Sequence, residues 1–209
     1  MKKVLAFFGA FNPPTKAHID LAKLAMEQTG MEGVVFIPSK STYILNDQKK
    51  SFAFSDEERV DMLYEIRRSN SWMDFITHDM ISEKQPCSYE TLRWLRGAYN
   101  YQPSLLVGAD QFARMEDEWK HVEEIAKEFG IVCMPRYLFH RTEGLLKNVP
   151  FYQKIAPYVT LVKVPYEYEY NPISSSRARA YLRVIQEGLE DLRNAVPPEI
   201  YVYIKEKYV

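Results

Sequence analysis

Six short apolar runs alternate along this chain with segments of helical spacing, and that alternation is what most constrains its fold. Lys3–Phe8, Gly33–Pro38, Trp72–Ile76, Ser104–Val107, Gly130–Met134 and Thr160–Val164 read as strands. They are mostly apolar without a polar face, the pattern of strands covered on both sides. Between them, Thr15–Thr29, Ser55–Ser69, Ser88–Tyr99, Glu116–Phe129 and Ser175–Gly188 carry helical periodicity. Ser55 before Asp56-Glu57-Glu58 places an N-cap and acidic groups at a positive helix end. Gly30 and Gly188 stand where helix C-caps are expected. Strand followed by helix, repeated, implies parallel strands joined by right-handed crossovers.

The expected architecture is therefore α/β, a Rossmann-like doubly wound parallel sheet with helices on both faces and a C-terminal helical extension. We expect one domain over 1–209, with an α/β core to about residue 170 and the remainder as C-terminal helices, the last starting at Pro197-Pro198 and ending near Val209. Asn46–Lys50 and Arg141–Lys147 are the most polar connections and read as loops. In such folds ligands gather at the carboxyl ends of the strands, near a topological switch point. The chemistry should sit on the loops that follow the strands.

Composition narrows the class of function. With 27 Lys and Arg against 28 Asp and Glu, the charge is −1, which argues against a wholesale nucleic-acid binder. No apolar run approaches the roughly 18 residues of a membrane span. Lys2 and Lys3 before an apolar stretch resemble a signal peptide superficially, but Asn12-Pro13-Pro14 and the charged pattern beyond favour a core strand. Two cysteines, Cys87 and Cys133, provide neither a disulfide scaffold nor a zinc cluster and suit a reducing cytosol.

The first strand runs into Gly9-Ala10-Phe11-Asn12-Pro13-Pro14-Thr15-Lys16-Ala17-His18. Gly9 permits close approach of a ligand to the backbone, the prolines set the turn, and a helix begins near Thr15. Thr15 and His18, three apart, share a face of its first turn. Unpaired N–H groups and the positive dipole end make that turn an anion site, and His18 can donate to a phosphate there. Alone, such a pair is no more than a capped turn; the strand–Gly–turn–helix setting gives it a functional meaning.

A second anion cradle is legible in Ile173-Ser174-Ser175-Ser176-Arg177-Ala178-Arg179, where three hydroxyls open a helix and Arg179 follows one turn on. Leu105–Val107 leads to Gly108 and Asp110, a buried strand ending in glycine and a carboxylate; a helix-capping role fits Asp110 equally. Trp119 offers an aromatic face for a flat ring, or simply a packing surface.

Gly9-x-Phe11-Asn12-Pro13-x-Thr15-x-x-His18 resembles the signature loop of the nucleotidylyltransferase superfamily, in particular its nicotinate and nicotinamide mononucleotide adenylyltransferases. Bacterial members usually carry histidine where Thr15 stands and glycine where Ala17 stands; eukaryotic members also use threonine. Ile173, Ser174, Ser175, Ser176 and Arg179 match the motif that holds the ATP triphosphate. The resemblance implies ATP binding by Gly9, Ala10, Phe11, Thr15, His18, Gly108, Asp110 and that serine–arginine segment, with His18, Arg179 and Lys40 as catalytic residues. It implies mononucleotide binding by Asn12, Lys40, Ser88, Thr91, Trp119 and Arg136, with Lys49 and Lys50 as weaker candidates. Cys87-Ser88-Tyr89-Glu90-Thr91-Leu92 aligns with the family's Tyr-Thr-x-Asp-Thr-Leu but departs at Cys87 and Ser88. The family's Arg-Pro-Gly appears as Pro135-Arg136-Tyr137, its arginine displaced by one.

The activity implied is transfer of AMP from ATP to nicotinate mononucleotide, releasing pyrophosphate, with Mg²⁺ carried by ATP and no metal cage of the protein's own. Partners would be ATP and a pyridine mononucleotide, not nucleic acid or membrane, with a homo-oligomer left open. The alternatives are transfer to nicotinamide mononucleotide or phosphopantetheine, and a non-catalytic ATP-binding regulator of the same fold. His78, His121 and His140 are scattered and read as surface or structural. Glu90 is expected to turn away from Ser88.

Overall fold

In a computed structural model, residues 1–135, 139–165, 173–183 and 189–208 are described, without the side chains of Phe139, Leu182 and Arg183. Six strands form one sheet: β1 (Lys2–Gly9), β2 (Gly33–Pro38), β3 (Met73–Phe75), β4 (Tyr101–Gly108), β5 (Ile131–Met134) and β6 (Val159–Leu161). Their order is β3-β2-β1-β4-β5-β6. β1 pairs in parallel with β4, β4 with β5 and β5 with β6, with Phe7 opposite Leu106 and Leu106 opposite Val132. The order reverses between β1 and β4, as expected of a doubly wound sheet.

The unbroken apolar strands are buried as their composition requires. Val4–Phe7, Val34–Ile37, Leu105–Val107 and Ile131–Met134 form the centre of the core. Each fully buried aliphatic or phenylalanine side chain contributes about 1.5–3 kcal/mol. Helix α1 (Lys16–Thr29) follows β1 and ends at Gly30, whose φ of +64° is the left-handed C-cap. The next elements are α2 (Ser41–Asn46), α3 (Asp56–Arg68) and α4 (His78–Ile81). Helix α3 opens with a full capping box, Ser55 and Glu58 satisfying each other's backbone N–H. Helix α5 (Ser88–Tyr99) has the bounds the periodicity predicts.

Beyond β4 the pattern differs from expectation. Glu116–Phe129 is not one helix but the end of a chain of pieces: α6 (Ala109–Phe112), α7 (Met115–Glu118) and α8 (Val122–Phe129). The break falls where Trp119 is extended and His121 takes a left-handed backbone at φ +59°. Arg141–Lys147, expected as a loop, lies within helix α9 (Phe139–Asn148), which packs against α10 (Pro150–Ile155). Its polar residues are the solvated face of a helix, and Thr142 is its buried side. Asn46–Lys50 does continue from α2 as a connection. The chain closes with α11 (Ser175–Arg183), α12 (Leu189–Ala195) and α13 (Pro198–Tyr208). Gly188, the expected C-cap, lies outside the described residues.

The chain gathers into two compact units. The first comprises Met1–Phe8, Leu21–Val35 and the chain from Pro86 through β6; the second comprises Gly9–Asp20, Phe36–Gln85 and the C-terminal helices from α11.

Candidate active site

The second unit holds both predicted anion cradles. Thr15 is the N-cap of α1 and is fully buried. Its Oγ1 lies 2.8 Å from His18 Nδ1, its backbone N–H donates to that same nitrogen at 3.0 Å, and His18 N–H donates back to Thr15 Oγ1 at 3.4 Å. The Phe11 ring meets the imidazole edge-on, centroids 5.3 Å apart, and also packs on Phe36. Phe11 holds this place with a left-handed backbone, φ +41°. A Cβ at Gly9 would sit 3.0 Å from the Phe11 ring. The missing side chain makes room for Phe11.

At the start of α11, Ser174 Oγ accepts from Arg177 N–H at 3.2 Å, the ordinary cap. Ser175 Oγ donates to Pro13 O at 2.9 Å, and Arg179 Nη1 donates to Asn12 O at 2.6 Å. Arg179 Nη2 also reaches Ser176 Oγ at 3.1 Å. The two helix starts are thus fastened to one another by a bond between residues 162 apart in sequence. Two helix starts, a half-buried guanidinium and one histidine are groups chemically suited to an anion. Ile173 stands half-buried at the entry to this segment, and Asn171 and Pro172 lie outside the described residues.

Two other candidates have structural duties. Asn12 is fully buried; its Nδ2 donates to Phe52 O at 2.8 Å and its Oδ1 accepts from Phe54 N at 2.9 Å. It braces the segment before α3 instead of presenting its amide to a mononucleotide. Lys40 Nζ donates to Ser82 O and, at 3.3 Å, to Glu83 O, while its backbone N–H is held by Gln85 at 3.0 Å. Its ammonium is held on carbonyls after α4. Lys49, at φ +52°, is exposed.

Beneath these loops lies a residue that sequence reasoning missed. Arg59 is fully buried and donates to Ala10 O (2.7 Å), Ser39 O (2.6 Å), Ser41 Oγ (3.1 Å) and Asp56 Oδ1 (2.5 Å). It ties the loop after β1 to the loop after β2. Burial lowers its proton affinity, and Asp56 works against that. Its Nε is buried without a hydrogen-bond partner among the described residues. The signal was present: Arg59 falls in register with Met62, Leu63 and Ile66 on the apolar stripe of α3, where a charge needs a reason. Helix α13 packs against the N-terminal end of α3. There Lys207 Nζ lies 2.8 Å from Glu58, Tyr208 donates its hydroxyl to Glu58, and the Tyr208 ring packs edge-on against Phe54 at 4.9 Å.

In the first unit, Gly108 leads into α6, and a Cβ on it would come within 2.9 Å of Asp110 Oδ1, so the glycine is what allows that carboxylate its place. Asp110 itself is exposed. Ser88 is half-buried at the first turn of α5, and Thr91 is fully buried. Glu90 does not turn away: its carboxylate accepts from Cys87 N–H at 3.0 Å, closing a capping box at the helix start. Trp119, half-buried, lines an open cavity of about 550 Å³ with Met115, Val122, Phe151 and the charged Glu116 and Lys127. Arg136 lies outside the described residues. His78 is half-buried, and His121 is exposed, stacked on Tyr89 and bonded to Glu124, consistent with structural roles.

The family model described as cytidylyltransferase-like matches residues 6–181, which takes in both cradles. The chain belongs to this cytidylyltransferase-like family. A relative from Listeria innocua, named a probable nicotinate-nucleotide adenylyltransferase, is 26% identical over 209 residues, covering 98% of this chain and 95% of its own. One of the same name from Desulfotalea psychrophila is 28% identical over 218 residues, with 98% and 97% covered. Among solved structures, the Plasmodium falciparum nicotinic acid mononucleotide adenylyltransferase complexed with NaAD superposes with a TM-score of 0.75 at 20% identity, over 100% of this chain and 99% of that one. The same enzyme complexed with APC gives 0.76 at 20% identity, over 99% and 96%. The expected nucleotidylyltransferase fold is the observed one.

Proposed function

We propose that the protein transfers AMP from ATP to nicotinate mononucleotide, forming nicotinate adenine dinucleotide and pyrophosphate, a step of NAD biosynthesis. The observation that carries the proposal is the joining of the α1 and α11 starts, by Ser175 to Pro13 O and by Arg179 to Asn12 O. Relatives named for this activity along nearly their whole length support it.

The mononucleotide phosphate attacks the ATP α-phosphorus in line, and pyrophosphate departs. Such a reaction asks for alignment and charge neutralisation, not for a covalent nucleophile. The first turn of α1 and the α11 start face the phosphates, Arg179 neutralises their charge, and His18 donates to the oxygen where negative charge builds. Mg²⁺ would enter with ATP and would neutralise charge on its phosphates. Lys40, held on carbonyls, is left out of the chemistry. Gly108 and Asp110 serve the nucleoside, and Ser88 and Trp119 the pyridine ring of the acceptor.

The deciding assay follows pyrophosphate release with ATP and Mg²⁺ against nicotinate mononucleotide, nicotinamide mononucleotide and phosphopantetheine. Nicotinate mononucleotide is expected to give the highest kcat/KM. Glu90 works against this preference, because its carboxylate already accepts the Cys87 N–H at the helix start, so the preference rests on the relatives named for the nicotinate substrate. An equal or higher value for the amide would overturn the preference, and no turnover with any acceptor would overturn the reaction.

A further inference from the structure

The first turn of α1 is closed by an unusual capping box. In the ordinary box an N-cap hydroxyl accepts from the N3 backbone N–H, and a Glu or Gln at N3 reaches back to the N-cap backbone N–H. Helix α3 follows that pattern with Ser55 and Glu58, and α5 uses Glu90 in the same way. In α1 the N-cap is Thr15, and the N3 residue is His18. Its imidazole takes the place of the carboxylate, with Nδ1 accepting from Thr15 N–H at 3.0 Å.

A backbone N–H can only donate. Nδ1 must therefore carry a lone pair and no proton, and in neutral imidazole the proton then resides on Nε2. The hydroxyl is compatible with either role: Thr15 Oγ1 accepts from His18 N–H at 3.4 Å and lies 2.8 Å from Nδ1, to which it can turn its own proton. Imidazolium would put an N–H against the Thr15 N–H and break the box. Thr15 is fully buried, so water does not replace these bonds, and the Phe11 ring 5.3 Å away limits rotation of the imidazole.

We infer that Thr15 is a positioning residue that holds His18 as the neutral Nε2–H tautomer, so that His18 serves the reaction as an uncharged hydrogen-bond donor through Nε2 and not as a cation or a proton acceptor. The inference rests on the adenylyl-transfer role given to His18 above. The capping of the helix and the preparation of the catalytic donor are the same set of bonds. A donor aligned before substrate arrives has no reorganisation to undergo as charge develops.

The test has two arms. Nitrogen NMR of the protein labelled in its histidine rings, with His18 assigned by the loss of its signals in His18→Gln, reads the tautomer without any substrate. The expected result at neutral pH is an unprotonated Nδ1 and a protonated Nε2; a proton on Nδ1, or imidazolium, overturns the inference even if the enzyme is fully active. Thr15→Val then removes the hydroxyl while keeping volume and the backbone N–H. It should lower kcat roughly 10-fold with KM for ATP within about two-fold, and Thr15→Ser should restore most of the loss. Equal kcat for wild type and Thr15→Val, or a loss that Thr15→Ser does not relieve, overturns the role of the hydroxyl. If no acceptor turns over in any variant, the proposed activity fails while the tautomer result stands.

Discussion

Replacing Arg59 with methionine should damage stability and nucleotide binding together, although Arg59 faces no solvent. Methionine fills much of the same space but donates nothing. Ala10 O and Ser39 O, now served at 2.7 and 2.6 Å, would be left in the interior without their donors. An orphaned buried acceptor costs about 1–3 kcal/mol. Asp56 suffers less, because it is 39% exposed and keeps the Ser41 N–H and Oγ, each at 2.7 Å. Recovering the desolvation of the buried guanidinium offsets part of the loss, so the expected net is about 3 kcal/mol, the low end for breaking a buried charged pair. For a chain of this size that is a fall of about 6–12 °C in Tm. Circular dichroism with urea titration measures the stability, and calorimetric titration with ATP measures the binding, which should weaken as the loop carrying Phe11 and Thr15 comes loose from Ser39. Arg59→Lys should fall between, since an ammonium reaches fewer of the four acceptors and lacks the planar fork. A methionine variant within 1 kcal/mol of wild type and with unchanged ATP affinity would refute the idea that Arg59 ties the two loops.

His18→Ala should keep the fold and ATP binding but lower kcat by about 10²–10³, the loss usual for one transition-state donor; a kcat within a few-fold of wild type removes His18 from the chemistry. Arg179→Ala should raise KM for ATP as well as lower kcat, because its guanidinium acts in the ground state and also anchors Asn12 O; initial rates across ATP concentrations decide it. Glu58 gives a pH signature. Burial raises its pKa, but Lys207, Tyr208 and the Ser55 N–H outweigh this and bring it from 4.5 to about 2. Its folded value is depressed, so its contribution is present above about pH 4.5 and fades as pH falls towards 2. Thermal melts of Glu58→Gln should lie below wild type at pH 7 and converge with it across that interval, and a gap that stays constant down to pH 2 would sink the assignment.

Much of the fold was legible because a buried parallel sheet leaves a strong trace. Gly33–Pro38 and Ser88–Tyr99 could be read to the residue, the first from an unbroken apolar run between turns, the second from a regular stripe. The four-residue helices α4, α6 and α7 left none, since one turn is shorter than the period that would reveal it. The break at Trp119–His121 contains neither glycine nor proline, and α9 was hidden by polar residues that only a packed partner shows to be a solvated face.

What the sequence by itself determined is local: the helix starts at Thr15 and Ser174, the spacing that puts His18 on the N3 position, and the arginine one turn into α11. Capping and the helix dipole act within a few residues, so they are written in adjacent letters. Tertiary structure decided which of the charged and polar side chains are available for chemistry. Asn12 meets Phe52 and Phe54 across 40 and 42 residues, Lys40 meets Ser82 across 42, and Arg59 meets Ala10 across 49. Each was a candidate or a bystander by residue type alone. A buried hydrogen-bonding group must find a partner wherever the fold brings one, and that search, not the local motif, turned two expected ligand contacts into braces and made a helix arginine the tie beneath the site.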